Sequence, residues 1–76
     1  MEIKEFIEKF AEAVEIEDSE TLSPETEFHK LKEWNSLAYL SVIAMLDSEF
    51  GIQIEMAEFN QLVTIQDILD KATSLQ

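Results

Sequence analysis

Apolar residues recur at helical spacing in three separate runs of this chain, and between the first two runs the period disappears for roughly twenty residues. Such a pattern describes short helices packed on one another. Near the start, Ile3, Phe6, Ile7, Phe10 and Val14 share a face while Glu2, Glu5, Glu8, Lys9 and Glu12 occupy the others, which predicts an amphipathic helix over roughly residues 2 to 15. A second helix is expected from Asn35 or Ser36 to Phe50, opened by a capping-type residue and stopped by Gly51. The last, about residues 65 to 75, opens with Thr64-Ile65-Gln66-Asp67, a capping box with Asp67 in place of the usual glutamate. It should bury Ile65, Ile68, Leu69 and Ala72, with Leu75 at the margin. Before it, Ile52 and Ile54 alternate with Gln53 and Glu55 as a short extended connection. A brief helix over Ala57 to Leu62 would follow, turning Met56, Phe59 and Leu62 inward. The fold class is therefore all-α: a small four-helix bundle, three main helices plus one short one, in a single domain over residues 1–76 with a long loop between the first and second helices.

That loop, from about Glu17 to Asn35, is rich in turn chemistry, with Asp18-Ser19-Glu20-Thr21 and Ser23-Pro24-Glu25-Thr26. A segment this long inside a compact domain needs a function or anchors, and Leu22, Phe28, Leu31 and Trp34 are the candidate anchors. On the second helix, Tyr39, Val42, Ile43, Leu46 and Phe50 fall in one arc and should face the core. The opposite arc holds Leu37, Ser41, Ala44 and Ser48, flanked by Leu40, Met45 and Ala38. It is small and apolar where a surface helix is ordinarily charged. Burying both sides of a helix is hard in so small a domain, so this arc is read as a contact face for other proteins.

Ser36 lies where that face begins. A hydroxyl in the first turn of a helix is placed to carry a phosphodiester, because unpaired backbone N–H groups and the positive end of the helix dipole both favour an anion there.

Composition removes other options. Seventeen acids stand against five lysines, with no arginine, for a formal net charge of -12. Such a surface repels nucleic acid and anionic membrane and points to basic partners. There is no cysteine, hence no disulfide, thiolate nucleophile or thiolate metal site. The apolar runs are too short to span a bilayer and the N-terminus alternates charge with apolar residues, so a cytoplasmic protein without membrane insertion is expected. His29, the single histidine, has no cysteine partner and no serine in a nucleophile-elbow motif, and reads as a loop residue beside Phe28. The acidic loop from Asp18 to Glu27 lacks the glycine and terminal glutamate of a calcium loop, so no dedicated metal site is expected. No catalytic residue is assigned.

The ordered succession of helix, long loop, Trp34-Asn35-Ser36-Leu37 opening an apolar helix, Glu-Phe-Gly-Ile-Gln-Ile from Glu49 to Ile54, a short helix, and Val63-Thr64-Ile65-Gln66-Asp67 opening the last helix resembles the acyl carrier protein family over essentially the whole chain. The resemblance implies that Ser36 is esterified to 4′-phosphopantetheine, taken from coenzyme A by a separate Mg²⁺-dependent phosphopantetheinyl transferase. The arm's thiol would then carry acyl groups as thioesters to the enzymes of fatty acid, polyketide or related specialised acyl biosynthesis. Such a protein is a carrier, expected as a monomer, and is not itself an enzyme. Its partners would be that transferase and acyl-transferring, condensing or acyl-activating enzymes with basic docking patches. Trp34, Asn35, Leu37, Ala38, Leu40, Ser41, Ala44 and Met45 would form the motif and the partner-binding face.

Two departures from the family pattern accompany the match. Asn35 stands where most members have aspartate, which preserves the helix cap but removes a negative charge where transferase and metal are expected to dock. Ala38 and Ser41 occupy positions that are often acidic in carriers of fatty acid synthesis, so recognition should lean on Leu37, Ala44 and Met45, which argues for a specialised pathway. Asn35 also keeps open an alternative, an unmodified carrier-fold adaptor. A carrier of aminoacyl or peptidyl groups fits less well, since those domains usually place glycine and histidine before the serine, where this chain has Trp34 and Asn35.

Overall fold

The computed structural model describes residues 1–76 and contains four α-helices: α1 (Ile3–Ala13), α2 (Ser36–Phe50), α3 (Met56–Phe59) and α4 (Ile65–Leu75). The all-α bundle expected from the periodicity is what forms. α1 packs on α2 and α4, and α4 packs on α2, within an envelope of 28 × 25 × 20 Å. Eighteen buried residues, all apolar, make one continuous core, and no side-chain polar atom is buried without a partner. The mutual burial of α1, α2 and α4 holds them, since none of these helices is long enough to be stable alone in water.

α1 ends earlier than its apolar period suggests. Its last turn closes with Glu15 N–H donating to the Glu12 carbonyl (3.3 Å) and Ile16 N–H donating to the Ala11 carbonyl (2.8 Å), the paired bonds of a Schellman motif. Glu15 therefore sits in the left-handed region, at φ 61°, where glycine is the favoured residue. Replacing Glu15 with glycine should raise the stability by roughly 0.5–1 kcal/mol, read as a higher urea midpoint at unchanged slope. At the end of α2, the same backbone conformation falls to Gly51, at φ 67°.

The long connection between α1 and α2 is ordered by two short 3₁₀ turns, Ser19–Thr21 and Phe28–Lys30, and by pairing with a distant segment. Glu27 and Thr64 form an isolated antiparallel bridge. Around it Ile65 N–H donates to the Thr26 carbonyl (3.1 Å), Gln66 N–H to the Pro24 carbonyl (3.0 Å) and Phe28 N–H to the Val63 carbonyl (3.3 Å). The expected anchors are present: Leu22 and Phe28 are buried, and Leu31 and Trp34 are half-buried against the core. Phe28 is the hub, with ring centroids 5.0 Å from Trp34, 5.3 Å from Phe59 and 6.4 Å from Phe10. Trp34 lies parallel to both Phe10 and Phe59, at 6.2 and 6.0 Å. His29 is exposed, its ring tilted 4.2 Å from that of Phe28.

The capping box of α4 forms as expected. Asp67 N–H donates to Thr64 Oγ1 (3.1 Å), while Asp67 Oδ2 accepts from the backbone N–H groups of Thr64 (3.0 Å) and Val63 (3.1 Å). The Thr64 backbone bond, followed by that of Val63, holds the Asp67 carboxyl below its usual range; partial desolvation opposes them, and the Thr64 hydroxyl bond adds to the lowering. A carboxyl lowered on folding contributes stability that is present above its unfolded pKa of about 3.9 and is lost as pH falls through the folded value. Asp67→Asn should thus cost about 0.5–1 kcal/mol near neutral pH, with the gap between variant and wild type closing below about pH 4 in acid-titrated urea melts.

Several sequence expectations change on packing. α3 runs over Met56–Phe59, not Ala57 to Leu62, with a turn completing the segment. Phe59 is buried and Leu62 half-buried, but Met56 points outward and is 59% exposed. Leu75 is also exposed, because the bundle ends one turn before it. On α2 the fully buried stripe is Ala38, Val42, Leu46 and Phe50, with Tyr39 and Ile43 half-buried at its edge. Ala38, placed by periodicity at the margin of the outward arc, is only 6% exposed. It shares a depression with Ala13 and Val14 at the end of α1, where its small side chain permits close approach of the two helices.

Candidate functional site

α2 begins where the chain leaves the aromatic anchor at Trp34. Asn35 is extended, with φ -160° and ψ -174°, and its Oδ1 accepts from the Ala38 backbone N–H at 2.9 Å, so it is the cap. Ser36 is the first helical residue. Its hydroxyl is exposed and makes no hydrogen bond within the chain, and the backbone N–H groups of Ser36 and Leu37 have no intramolecular acceptor. No acidic residue occupies the first turn, in a chain with seventeen acids. Two free donors at the positive end of a fifteen-residue helix, with a nucleophile-bearing side chain among them, suit a covalently held anion.

Ser36 borders an open groove of about 450 Å³ between the start of α2 and α3, lined by Trp34, Asn35, Ser36, Tyr39, Leu40, Met56 and Asn60. Its walls are largely apolar. Trp34 is held there by its aromatic neighbours, and Tyr39 by the Phe59 ring at 5.1 Å. Leu37 and Leu40, at 73% and 58% exposed, stand beside the serine with no partner from the bundle.

The residues singled out from sequence line three adjoining depressions, joined through Asn35 and Ser41, which both also line the one against the end of α1. Trp34, Asn35, Ser36 and Leu40 meet in the α2–α3 groove. Ser41, Ala44 and Met45 line a different groove of about 320 Å³ on the α1 side, with Lys9, Glu12, Ala13 and Glu49. Lys9 and Glu49 close that groove at one end, 3.4 Å apart. Leu37 lies on the α1 side of the helix start, and Ala38 is withdrawn into the core. Sequence reasoning missed Tyr39, Met56 and Asn60 as groove residues. Tyr39 and Met56 carry an apolar signal that reads equally as core, and nothing in the local pattern marks Asn60.

No cluster of three or more His, Cys, Asp or Glu side chains is arranged to hold a metal ion, and no helix is long and apolar enough to cross a membrane.

Comparison with known proteins identifies the family. A family model described as "Phosphopantetheine attachment site" matches residues 4–71. The chain is also 38% identical over 53 residues to an acyl carrier protein of Thermosynechococcus vestitus, an alignment that spans 70% of this chain and 65% of that relative's length. The family match runs from the first turn of α1 into the last turns of α4, with Ser36 and its groove inside it. This chain belongs to the acyl carrier protein family, the phosphopantetheine-binding carriers whose prosthetic group is a covalently attached 4′-phosphopantetheine.

Proposed function

We propose that this protein is a carrier of acyl groups, loaded through Ser36 and serving enzymes of fatty acid, polyketide or related specialised acyl biosynthesis. The observation that carries this reading is the exposed, unengaged Ser36 hydroxyl at a carboxylate-free helix start beside an apolar groove. In loading, the Ser36 oxygen forms a bond to the pantetheine-bearing phosphorus of coenzyme A as the pyrophosphate bond breaks, releasing adenosine 3′,5′-bisphosphate and the serine proton. When bound, the group supplies a terminal thiol for thioester carriage, which a chain without cysteine lacks.

The chain's own residues have three tasks in this reading. Asn35 caps α2 and so fixes the direction in which Ser36 Oγ is presented. The Ser36 and Leu37 N–H groups and the helix dipole favour the phosphodiester charge. Trp34, Tyr39, Leu40 and Met56 line an apolar wall beside the serine. The carrier performs no chemistry on its cargo; tethering raises the cargo's effective concentration at each enzyme it visits.

Partners, in this reading, are a phosphopantetheinyl transferase and acyl-handling enzymes. α2 carries no charge before Asp47, so contact beside Ser36 is made by Leu37 and Leu40 and is apolar. The excess acids lie elsewhere, eleven of them within residues 1–33, and act at longer range by steering basic partners. Intact-mass measurement of protein from its own cell tests the proposal: a phosphopantetheine increment supports the carrier. Unmodified protein in the presence of an active transferase would instead support the adaptor reading that Asn35 favours.

A further inference from the structure

We propose that Asn35 makes the start of α2 a carboxylate-free seat for the phosphodiester, so that loading Ser36 stabilises the fold of this chain. The inference rests on the reading of Ser36 as the attachment point and goes beyond it, to how the protein responds to its own modification.

A residue preceding Ser36 must cap α2, and Asn35 does so with Oδ1 on the Ala38 N–H. Aspartate would cap as well, so capping does not explain the amide. What differs is charge. A carboxylate at position 35 would stand one residue from an anion on Ser36, well inside a Debye length, and the two would repel. It would also compete for the positive end of the helix, where the Ser36 and Leu37 N–H groups are free.

The surroundings sharpen the point. The carboxylates that share a depression with Asn35, those of Glu15 and Glu33, do so on the α1 side, whereas Ser36 lines the groove on the α3 side. The first turn of α2 has no acid of its own. On a chain of net charge -12, an added anion is unfavourable almost anywhere, and this helix start is where fixed dipoles oppose that cost with no neighbouring carboxylate in the turn. With asparagine the phosphodiester is the only full charge in the cap and first turn of α2, where the dipole interaction is strongest.

Thermal melts of loaded and unloaded protein test this in wild type, Asn35→Asp and Asn35→Ser, each loaded from coenzyme A by a broad-specificity transferase and checked by intact mass. All three residues cap, so all three proteins should fold. In wild type at low salt, loading is expected to raise Tm by about 2–6 °C. Asn35→Ser, an uncharged cap, retains the rise. Asn35→Asp raises the Tm of the unloaded form and abolishes or reverses the shift on loading. The contrast between wild type and Asn35→Asp shrinks in about 0.5 M salt. Equal shifts in wild type and Asn35→Asp, or a loaded wild type that melts lower than the unloaded form, overturn the proposal. Wild type that gains no mass overturns the attachment reading and this inference with it, and does so in the mass spectrum, apart from any melt.

Discussion

Ser36→Ala is expected to give a folded protein that accepts no phosphopantetheine. The two halves of that result have separate causes. Loading needs an oxygen nucleophile at this one position, and alanine supplies none, so the mass increment disappears completely. The fold has no such need: the Ser36 hydroxyl makes no intramolecular hydrogen bond, and the cap belongs to Asn35. Alanine is also a better helix former than serine, so the stability should move by no more than about 0.5 kcal/mol. Mass spectrometry after incubation with coenzyme A, Mg²⁺ and transferase reads the first half, and a urea melt followed by circular dichroism reads the second. A variant that still gains the full increment would move the attachment point to another hydroxyl. A variant that loses its helices would make Ser36 structural.

The largest effect on stability should come from Phe28, a residue outside the four helices. Its ring is fully buried and touches aromatic rings from α1, α3 and the approach to α2. Truncating a buried phenylalanine to alanine costs about 3–5 kcal/mol, from lost burial and from the cavity left behind. At roughly 0.05–0.15 kcal/mol per residue, a domain of this length has only about 4–11 kcal/mol in total. Phe28→Ala should therefore lower the urea midpoint by about a quarter or more, or leave no cooperative transition at all. Phe28→Leu retains most of the volume and should cost well under half as much. A loss below about 1 kcal/mol for the alanine variant would mean that the long connection contributes little to the core, contrary to its aromatic packing and to its hydrogen bonds with the start of α4.

These two residues bear on function together. Phe28 holds Trp34, and Trp34 is both the last aromatic anchor of the connection and a wall of the groove beside Ser36. Ser36, the proposed attachment point, is therefore presented by a segment that hydrophobic packing fixes on one side and the Asn35 cap fixes on the other. A serine on an unanchored loop would have neither the dipole nor a defined wall next to it.

Much of this was legible in the chain because it is local. Helix α2 begins and ends where Asn35 and Gly51 say it must, since a cap and a left-handed stop depend on their immediate neighbours alone. The Thr64–Asp67 capping box, the amphipathic α1 and the anchoring roles of Leu22, Phe28, Leu31 and Trp34 follow from side-chain type and spacing in the same way. Position 15 was not marked, because a non-glycine residue at a left-handed helix end carries no signature in sequence.

Tertiary structure decided what periodicity leaves degenerate. α2 is apolar around much of its circumference, and spacing put Val42, Leu46 and Phe50 inside and Leu37 and Leu40 outside, as found; the close approach of α1 added Ala38 to the core, while Tyr39 and Ile43 are only half-buried. Met56 satisfies an inward spacing with Phe59 and Leu62, yet α3 is one turn long and faces only one of its large apolar side chains fully into the core. The bridge from Glu27 to Thr64 and the groove that joins residues 34–40 to Met56 and Asn60 unite segments far apart in the chain, and no local rule encodes them. The sequence alone determined where helices start and stop, because capping and amphipathicity act within a turn or two; which faces meet, and so what surrounds Ser36, was settled by competition among helices for a single small core.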